Sequence, residues 1–391
     1  MTRLIFRART LRWLLALIFL ALLAIGTYHV YKPLPQGLSL EAPARVASDV
    51  QFLADNTYTT ANGERHIEQQ IFDEVLAMIA SARRFVLVDM FLFNDFQGEV
   101  TETHRALSTE LTAALIAQKQ RYPALEVQVI SDPLNSVYGG RPSPHFAQLE
   151  AAGIAVTLTD LPRLRDSNPL YSALWRPFIR PFGNGEGDTL PNPFGEGRVS
   201  LRSFLALLNF KANHRKLIIA DSGEALAALV TSANPHDGSS AHGNVALRFS
   251  GPATRDLLAS EAAVLNFSGG AAPHTGLEPK TSSPQAELTV QVVTERAVEH
   301  ALLQIIDNAK PEEALDLAVF YLSDRHIVRA LKRAAERGVM VRVLLDPNKD
   351  AFGREKNGVP NRPVAHELTG AGVKVRWCDT HGEQCHAKWL I

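Results

Sequence analysis

The chain has 391 residues, with 40 basic against 41 acidic side chains and a formal net charge of -1. Near-neutral charge excludes a global basic field that recruits nucleic acid, while leaving room for a local groove. At 46% hydrophobic and 21% charged, the composition excludes a disordered chain, and the length suits two domains or one large pseudo-symmetric one.

Residues 1–12 carry Arg3, Arg7, Arg9 and Arg12 ahead of an apolar run over 13–26 that extends to Tyr31. Counted from Leu11, the segment reaches the roughly 20 residues that span a bilayer. We therefore expect a transmembrane anchor over 13–31, an N-terminus in the cytoplasm, and the rest of the chain on the periplasmic or lumenal side. A cleaved signal peptide is the competing reading, since the strict run is short and 21–26 holds small residues. Tyr28 and Tyr31, followed by Lys32-Pro33, favour the anchor. Residues 32–65, with Pro33, Pro35, Gly37 and Pro43, read as a linker.

A helix is predicted over 67–82, with Ile71, Val75, Leu76 and Ile79 on one face. Strands are predicted at 85–88, 125–130 and 154–158, and helices at 108–120 and 144–151. This alternation argues for an α/β fold with a parallel or mixed sheet. An insert over 160–212 follows, rich in Pro, Gly and aromatics. Two readings stand for it: an irregular wall packed on the domain, or a membrane rim. In the second, Trp175, Phe178, Ile179 and Phe182 meet acyl chains while Arg176 and Arg180 meet headgroups.

Beyond the insert lies Asn213-His214-Arg215-Lys216, then the apolar run 217–220 and Asp221. In a strand, His214 and Lys216 point to one face. A second apolar run, 225–230, leads back to Thr231-Ser232-Ala233-Asn234, where Ser232 and Asn234 are again two apart. A histidine can attack or donate a proton near neutral pH, while lysine, hydroxyl and amide groups hold anionic oxygens.

The same order recurs downstream of a connector over 268–290. A helix at 298–308, a strand at 315–320, a helix at 325–337 and a strand at 339–345 lead to Asp346-Pro347, as the earlier strand leads to Asp132-Pro133. Gly372 matches Gly153, and His386-Ala387-Lys388 matches His214-Arg215-Lys216. The only two cysteines, Cys378 and Cys385, are seven apart just ahead of this second motif. They either close a disulfide across the intervening turn or remain two thiols. Without a Cys-x-x-Cys, and with His381 and His386 off helical spacing, no metal site is expected.

His-x-Lys-x4-Asp followed by Ser-x-Asn resembles the HKD motif of the phospholipase D superfamily. The family usually has a glycine where this chain has Thr231. The resemblance implies two pseudo-symmetric phospholipase D-like lobes of α/β fold, with mixed sheets flanked by helices. The first would occupy 66–267 and the second 291–391, one motif from each meeting at their interface. It also implies phosphodiester hydrolysis or transfer through a phosphohistidine, with neither cofactor nor metal. Carried over by position, the catalytic set is His214, Lys216, Asp221, His386 and Lys388. His214 would be the nucleophile and His386 the general acid, with Ser232 and Asn234 holding the phosphate. Asp221 has the opposite strand parity to His214, which suits organising a turn. The family often places a carboxylate about ten residues after the Asn to orient a histidine. His242-Gly243-Asn244 holds none, leaving Asp237 as the substitute candidate, with capping of a turn as its alternative. The chain stops inside the second motif, so the second lobe is expected to be incomplete and the fragment itself inactive.

Three functions fit. The first is a membrane-anchored phosphodiesterase hydrolysing or transferring phosphatidyl groups, with cardiolipin-synthase-like chemistry and a phospholipid partner. The second is an extracytoplasmic nuclease with a basic, aromatic groove. The third is a non-catalytic lipid-binding module.

Overall fold

The computed structural model describes residues 2–97, 103–277, 288–347 and 357–391. The helix α1 (Thr2–Tyr31) opens the chain, and its stretch Thr10–Tyr31 is long and apolar enough to cross a membrane. The strands β1 (Arg45–Val46), β2 (Ser48–Thr59) and β3 (Arg65–Glu68) follow, and α2 (Ile71–Ser81) succeeds them. Next come β4 (Phe85–Met90), α3 (Leu107–Arg121), β5 (Glu126–Ser131), α4 (Pro144–Ala151) and β6 (Ala155–Leu158). The insert holds α5 (Pro169–Phe178), the short pair β7 (Leu190–Pro191) and β8 (Arg198–Val199), and α6 (Leu201–Leu207). The chain returns through β9 (Lys216–Ser222), β10 (Ala225–Thr231), β11 (Asn244–Ser250) and α7 (Ala253–Ser268). Then follow β12 (Thr289–Val290), α8 (Arg296–Asn308), β13 (Ala314–Val319), α9 (Arg325–Glu336) and β14 (Met340–Leu345). The helix α10 (Asn361–Gly370) and the strands β15 (Lys374–Trp377) and β16 (Lys388–Leu390) complete the described elements.

Two mixed sheets dominate the α/β fold. The larger runs β3-β2-β11-β10-β9-β4-β5-β6, and the smaller β15-β14-β13-β16. β4, β5 and β6 are parallel, and β9 lies antiparallel beside β4. In the smaller sheet β13, β14 and β15 are parallel, and β16 lies antiparallel beside β13.

All six residues of β4 are buried, as a strand covered on both faces requires. Its parity divides the core. Val86 and Val88 join Ile218 beneath α2 and α3, through Ile79, Leu111 and Leu115. Phe85 and Leu87 join Leu217 and Ile219 on the other face, against Leu257, Val264 and Leu265 of α7. A third cluster, with Val341, Val343 and Leu345 of β14 against Leu331 and Leu368, fills the smaller unit.

The stretch read as a linker, 32–65, is largely structural. Residues 48–59 form β2, which pairs with β11 and β3 inside the larger sheet. A half-exposed antiparallel strand has no apolar run to mark it, and Asp55-Asn56-Thr57 interrupt what apolar pattern there is. The helix read from 67 begins at Ile71, where Asp55 Oδ1 accepts from the Gln70 and Ile71 amides at 2.8 and 3.1 Å. The start of the 268–290 connector is the end of α7 and Val290 pairs with Arg45 in β1, while 278–287 lie outside the described residues.

Candidate active site

Both His-x-Lys motifs stand at the same kind of place. β9 is antiparallel to β4, so its first residue, Lys216, pairs with Met90 at the carboxyl end of a parallel strand. Likewise Lys388 begins β16 and pairs with Val319 at the carboxyl end of β13. The carboxyl edge of parallel strands is where α/β sheets collect ligand groups. His214 lies two residues before β9 rather than in it, but Phe91 N still donates to Arg215 O at 3.0 Å, prolonging the pairing.

The surroundings of the two motifs match residue for residue. Lys216 Nζ donates to His214 O at 2.9 Å and stands 4.9 Å from the Phe91 ring centre. Lys388 Nζ donates to His386 O and stands 5.5 Å from the Phe320 ring centre. Each phenyl ring also packs on its imidazole, Phe91 on His214 at 4.5 Å and Phe320 on His386 at 5.2 Å. Asp132 Oδ2 accepts from Asn213 N, and Asp346 Oδ2 from Cys385 N, both at 2.7 Å. Asn135 Nδ2 donates to Phe91 O and Asp132 O at 2.8 and 3.0 Å. Asn361 Nδ2 donates to Phe320 O and Asp346 O at 2.7 and 2.9 Å. Sequence reading missed both asparagines because they lie three and fifteen residues after their aspartates, so no shared spacing marks them.

The second motif is seated on the first unit. Gly243 N donates to Gln384 O, and His386 N to Gly243 O, each at 2.8 Å. Arg65 meets the buried Glu383 at 2.8 Å. Cys378 and Cys385 form a disulfide with their Cα atoms 6.3 Å apart, closing the loop that leads into this contact.

Asn244 is the residue the sequence did not single out for chemistry. Its Nδ2 donates to His242 O at 3.0 Å, so its Oδ1 faces Ser232 and His386. That oxygen accepts from Ser232 Oγ at 2.8 Å and lies 3.0 Å from His386 Nδ1. A carbonyl oxygen only accepts, so Nδ1 of His386 carries the proton and Nε2 keeps its lone pair. Among the described residues, no group hydrogen-bonds the His214 ring, which is exposed to solvent.

The structure decides between the readings of Asp221 and Asp237 and takes Arg176 out of the membrane rim. Asp221 sits at the far end of β9, about 17 Å from Lys216 at the rise of an extended strand. There its Oδ1 accepts from the amides of Arg83, Arg84 and Phe85 at 3.0, 2.9 and 2.8 Å. It ties α2 to β4 and is remote from the histidines. Asp237 accepts from Ser108 N and Oγ at 3.0 and 2.8 Å, serving the first turn of α3 rather than a histidine. Ser232 and Asn234 fall just beyond β10, where each side-chain oxygen bonds inside the protein while Asn234 Nδ2 makes no hydrogen bond among the described residues. Ser232 holds Asn244, and Asn234 Oδ1 accepts from Leu92 N at 3.1 Å. In the insert, Arg176 is consumed by the buried Asp166, which Lys211 also meets at 2.6 Å, so it is not free for headgroups.

Charge crowding keeps the site poised against protonation. Burial, then Lys216 and Lys388, lower the His214 pKa toward about 3. The ring edge that stays open to solvent limits how far this goes, and the direction is what the crowding dictates. His386 is pushed well down by burial, then by Lys388, His242, Lys216 and His214. Burial lowers Lys216 to about 7, with Asp89 and Asp132 pulling it back up. These mutual repulsions show that the two motifs share one electrostatic neighbourhood, which an anion would relieve.

Residues 302–391 match the family described as cardiolipin synthase, PLD-like domain. No curated protein matches the chain. Among solved structures, phosphatidylserine synthase from Haemophilus influenzae Rd KW20 is 10% identical with a TM-score of 0.49, over 90% of this chain and 77% of that one. Polyphosphate kinase from Porphyromonas gingivalis is 12% identical at a TM-score of 0.37, over 84% and 40%. The phospholipase D family member Nuc from Salmonella typhimurium is 16% identical at a TM-score of 0.26, over 51% and 82%.

Proposed function

Because residues 302–391 carry a phospholipase D-like domain, we propose that the chain is a membrane-anchored phosphodiesterase that hydrolyses or transfers phosphatidyl groups. The observation that carries the reading is the pair of matched His-Lys-Phe-Asp-Asn frameworks, converging with their charges in mutual range. In this reading the two units are pseudo-symmetric lobes, β4-β5-β6-β9 corresponding to β13-β14-β15-β16, with the site on the seam.

His214 is the nucleophile. No group among the described residues hydrogen-bonds its ring, and its lowered pKa leaves it neutral. Its nitrogen attacks phosphorus, a P–N bond forms, and the bond to the leaving alcohol breaks. His386, oriented by Asn244, gives its proton to the departing oxygen. It then takes a proton from water or an acceptor alcohol, which attacks phosphorus and releases His214. The arriving phosphodiester carries the negative charge that restores the protonated states of His386 and the lysines. Lys216 and Lys388 then hold the charge that develops on the phosphoryl oxygens. The helix α1 anchors the chain, with Arg12 and its neighbours on the cytoplasmic side and the site beyond the membrane.

The test is incubation with radiolabelled phosphatidylglycerol and, separately, single-stranded DNA. Phosphatidic acid or cardiolipin is expected, and His214→Ala should lower turnover by about 10³ or more. Shortened DNA with unchanged lipid would replace this reading with a nuclease. An absence of any product would leave a binding module.

A further inference from the structure

The insert encloses a second site that the chemistry above does not use. A cavity of about 330 Å³ lies between α5, α6 and the turns after β5 and β6. Trp175, Ile179, Leu161 and Pro162 supply apolar wall, and Arg180 and Arg202 supply charge. That volume is in the range of pockets that take a small ligand or part of a lipid.

Three observations bear on its occupant. The first is position relative to α1. α5 packs against α1, and Gly26 lies so near it that a Cβ there would meet the Ala173 side chain at an ordinary contact distance of 3.6 Å. Asp166 N donates to His29 O at 3.0 Å, and Lys32 Nζ to Pro162 O at 2.8 Å, so a cavity wall is bonded to the end of the apolar helix. The second is an exposed apolar stripe on α5 at four-residue spacing, Leu170, Leu174 and Phe178, continued by Phe182. Such a stripe beside a spanning helix is the pattern of a surface resting on lipid.

The third is unspent polar capacity. Arg180 is exposed and has no hydrogen bond or ion pair among the described residues. Among the described residues Arg202 donates once, to Phe182 O at 2.6 Å, and keeps its other donors. The Tyr138 hydroxyl makes no hydrogen bond among the described residues. Its backbone and that of Val137 are both held in the left-handed region, at φ of 58° and 46°. Two successive non-glycine residues in that region are costly and tend to persist where a side chain must be presented. On its inner side the cavity meets the active site. Thr159, which lines it, accepts from Asn213 Nδ2 at 3.0 Å, one residue from His214.

We infer that this cavity is a phospholipid site, taking an acyl chain between Trp175 and Ala206 while Arg180 and Arg202 hold the phosphate at its mouth. The inference rests on the lipid reading for its occupant's class, but it makes a separate claim about where the lipid sits.

Full-length protein, as wild type and as His214→Ala, is reconstituted in phosphatidylcholine vesicles. These are doped with phosphatidylglycerol that bears a diazirine in one acyl chain, and adducts are mapped after irradiation. Labelling of Trp175, Ile179 or Tyr138 is expected in both proteins. Ala206→Trp, which fills the cavity, should cut it by about tenfold. Arg180→Ala with Arg202→Ala, both on exposed side chains, should cut it about fivefold and leave labelling of α1 unchanged. Label confined to α1 and the exposed stripe, or indifferent to both changes, overturns the inference. Labelling is read without turnover, so cavity adducts in a wild-type protein that turns over no lipid would keep this site and sink the enzymatic reading. Turnover without cavity adducts would do the reverse.

Discussion

Asn244 Oδ1 lies 3.0 Å from His386 Nδ1, across 142 residues of sequence and across the contact between the two sheets. One neutral amide thereby sets the tautomer of an imidazole contributed by the other unit. The same oxygen accepts from Ser232, so Ser232 acts on the site at one remove.

Replacing this amide tests whether the contact governs the chemistry. Asn244→Ala should lower kcat by about tenfold or more with little change in KM, because His386 loses its orientation while lipid binding is untouched. Asn244→Asp sets a carboxylate beside Nδ1 and favours the imidazolium, so the pH–rate limb governed by His386 should move up by about one unit. A profile identical to wild type in Asn244→Asp would show that the contact is only structural.

Asp221 belongs to stability, although it occupies the last position of the first motif. Asp221→Ala leaves three amides at the α2–β4 junction without their acceptor. A loss of about 2–4 kcal/mol is expected in urea unfolding, with the rate per folded molecule retained. A variant of normal stability and no activity would return this residue to the mechanism.

Acid should unfold the protein through buried imidazoles. Burial lowers His236 from 6.5 to about 4, against the pull of its bond to Phe96 O, and lowers His242 to about 3. Below pH 6.5 the unfolded chain therefore takes up protons that the folded chain refuses. Their contribution is whole above pH 6.5 and is lost as pH falls through these values, by up to about 3 kcal/mol for His236. Asp132, raised by burial to about 7, works the other way, stabilising at low pH and losing its contribution as pH rises toward 7. Urea midpoints measured from pH 7 to pH 4 should fall in the wild type and fall less steeply in His236→Gln. Equal slopes would contradict the assignment.

The chain alone revealed what depends on local order. Apolar runs with helices between them announced the α/β fold, and the His-x-Lys pairs stood out because two residues separated by one share a face. The bilayer-length run in α1 was legible for the same reason, as a stretch of uniform polarity. β2 was not, because a strand with one side in water mixes Asp55, Asn56 and Thr57 with its apolar residues.

What the residues around each motif do was decided only by folding. Strand parity already points Asp221 toward a turn and leaves capping open for Asp237, but which amides each one satisfies is settled only in space. Asn135, Asn361 and Asn244 look like ordinary loop residues until sheet pairing sets a backbone oxygen or an imidazole beside them. A hydrogen bond extends about 3 Å and has no knowledge of chain separation. Which asparagine meets which histidine is therefore a property of how the two sheets dock, and no spacing rule encodes it.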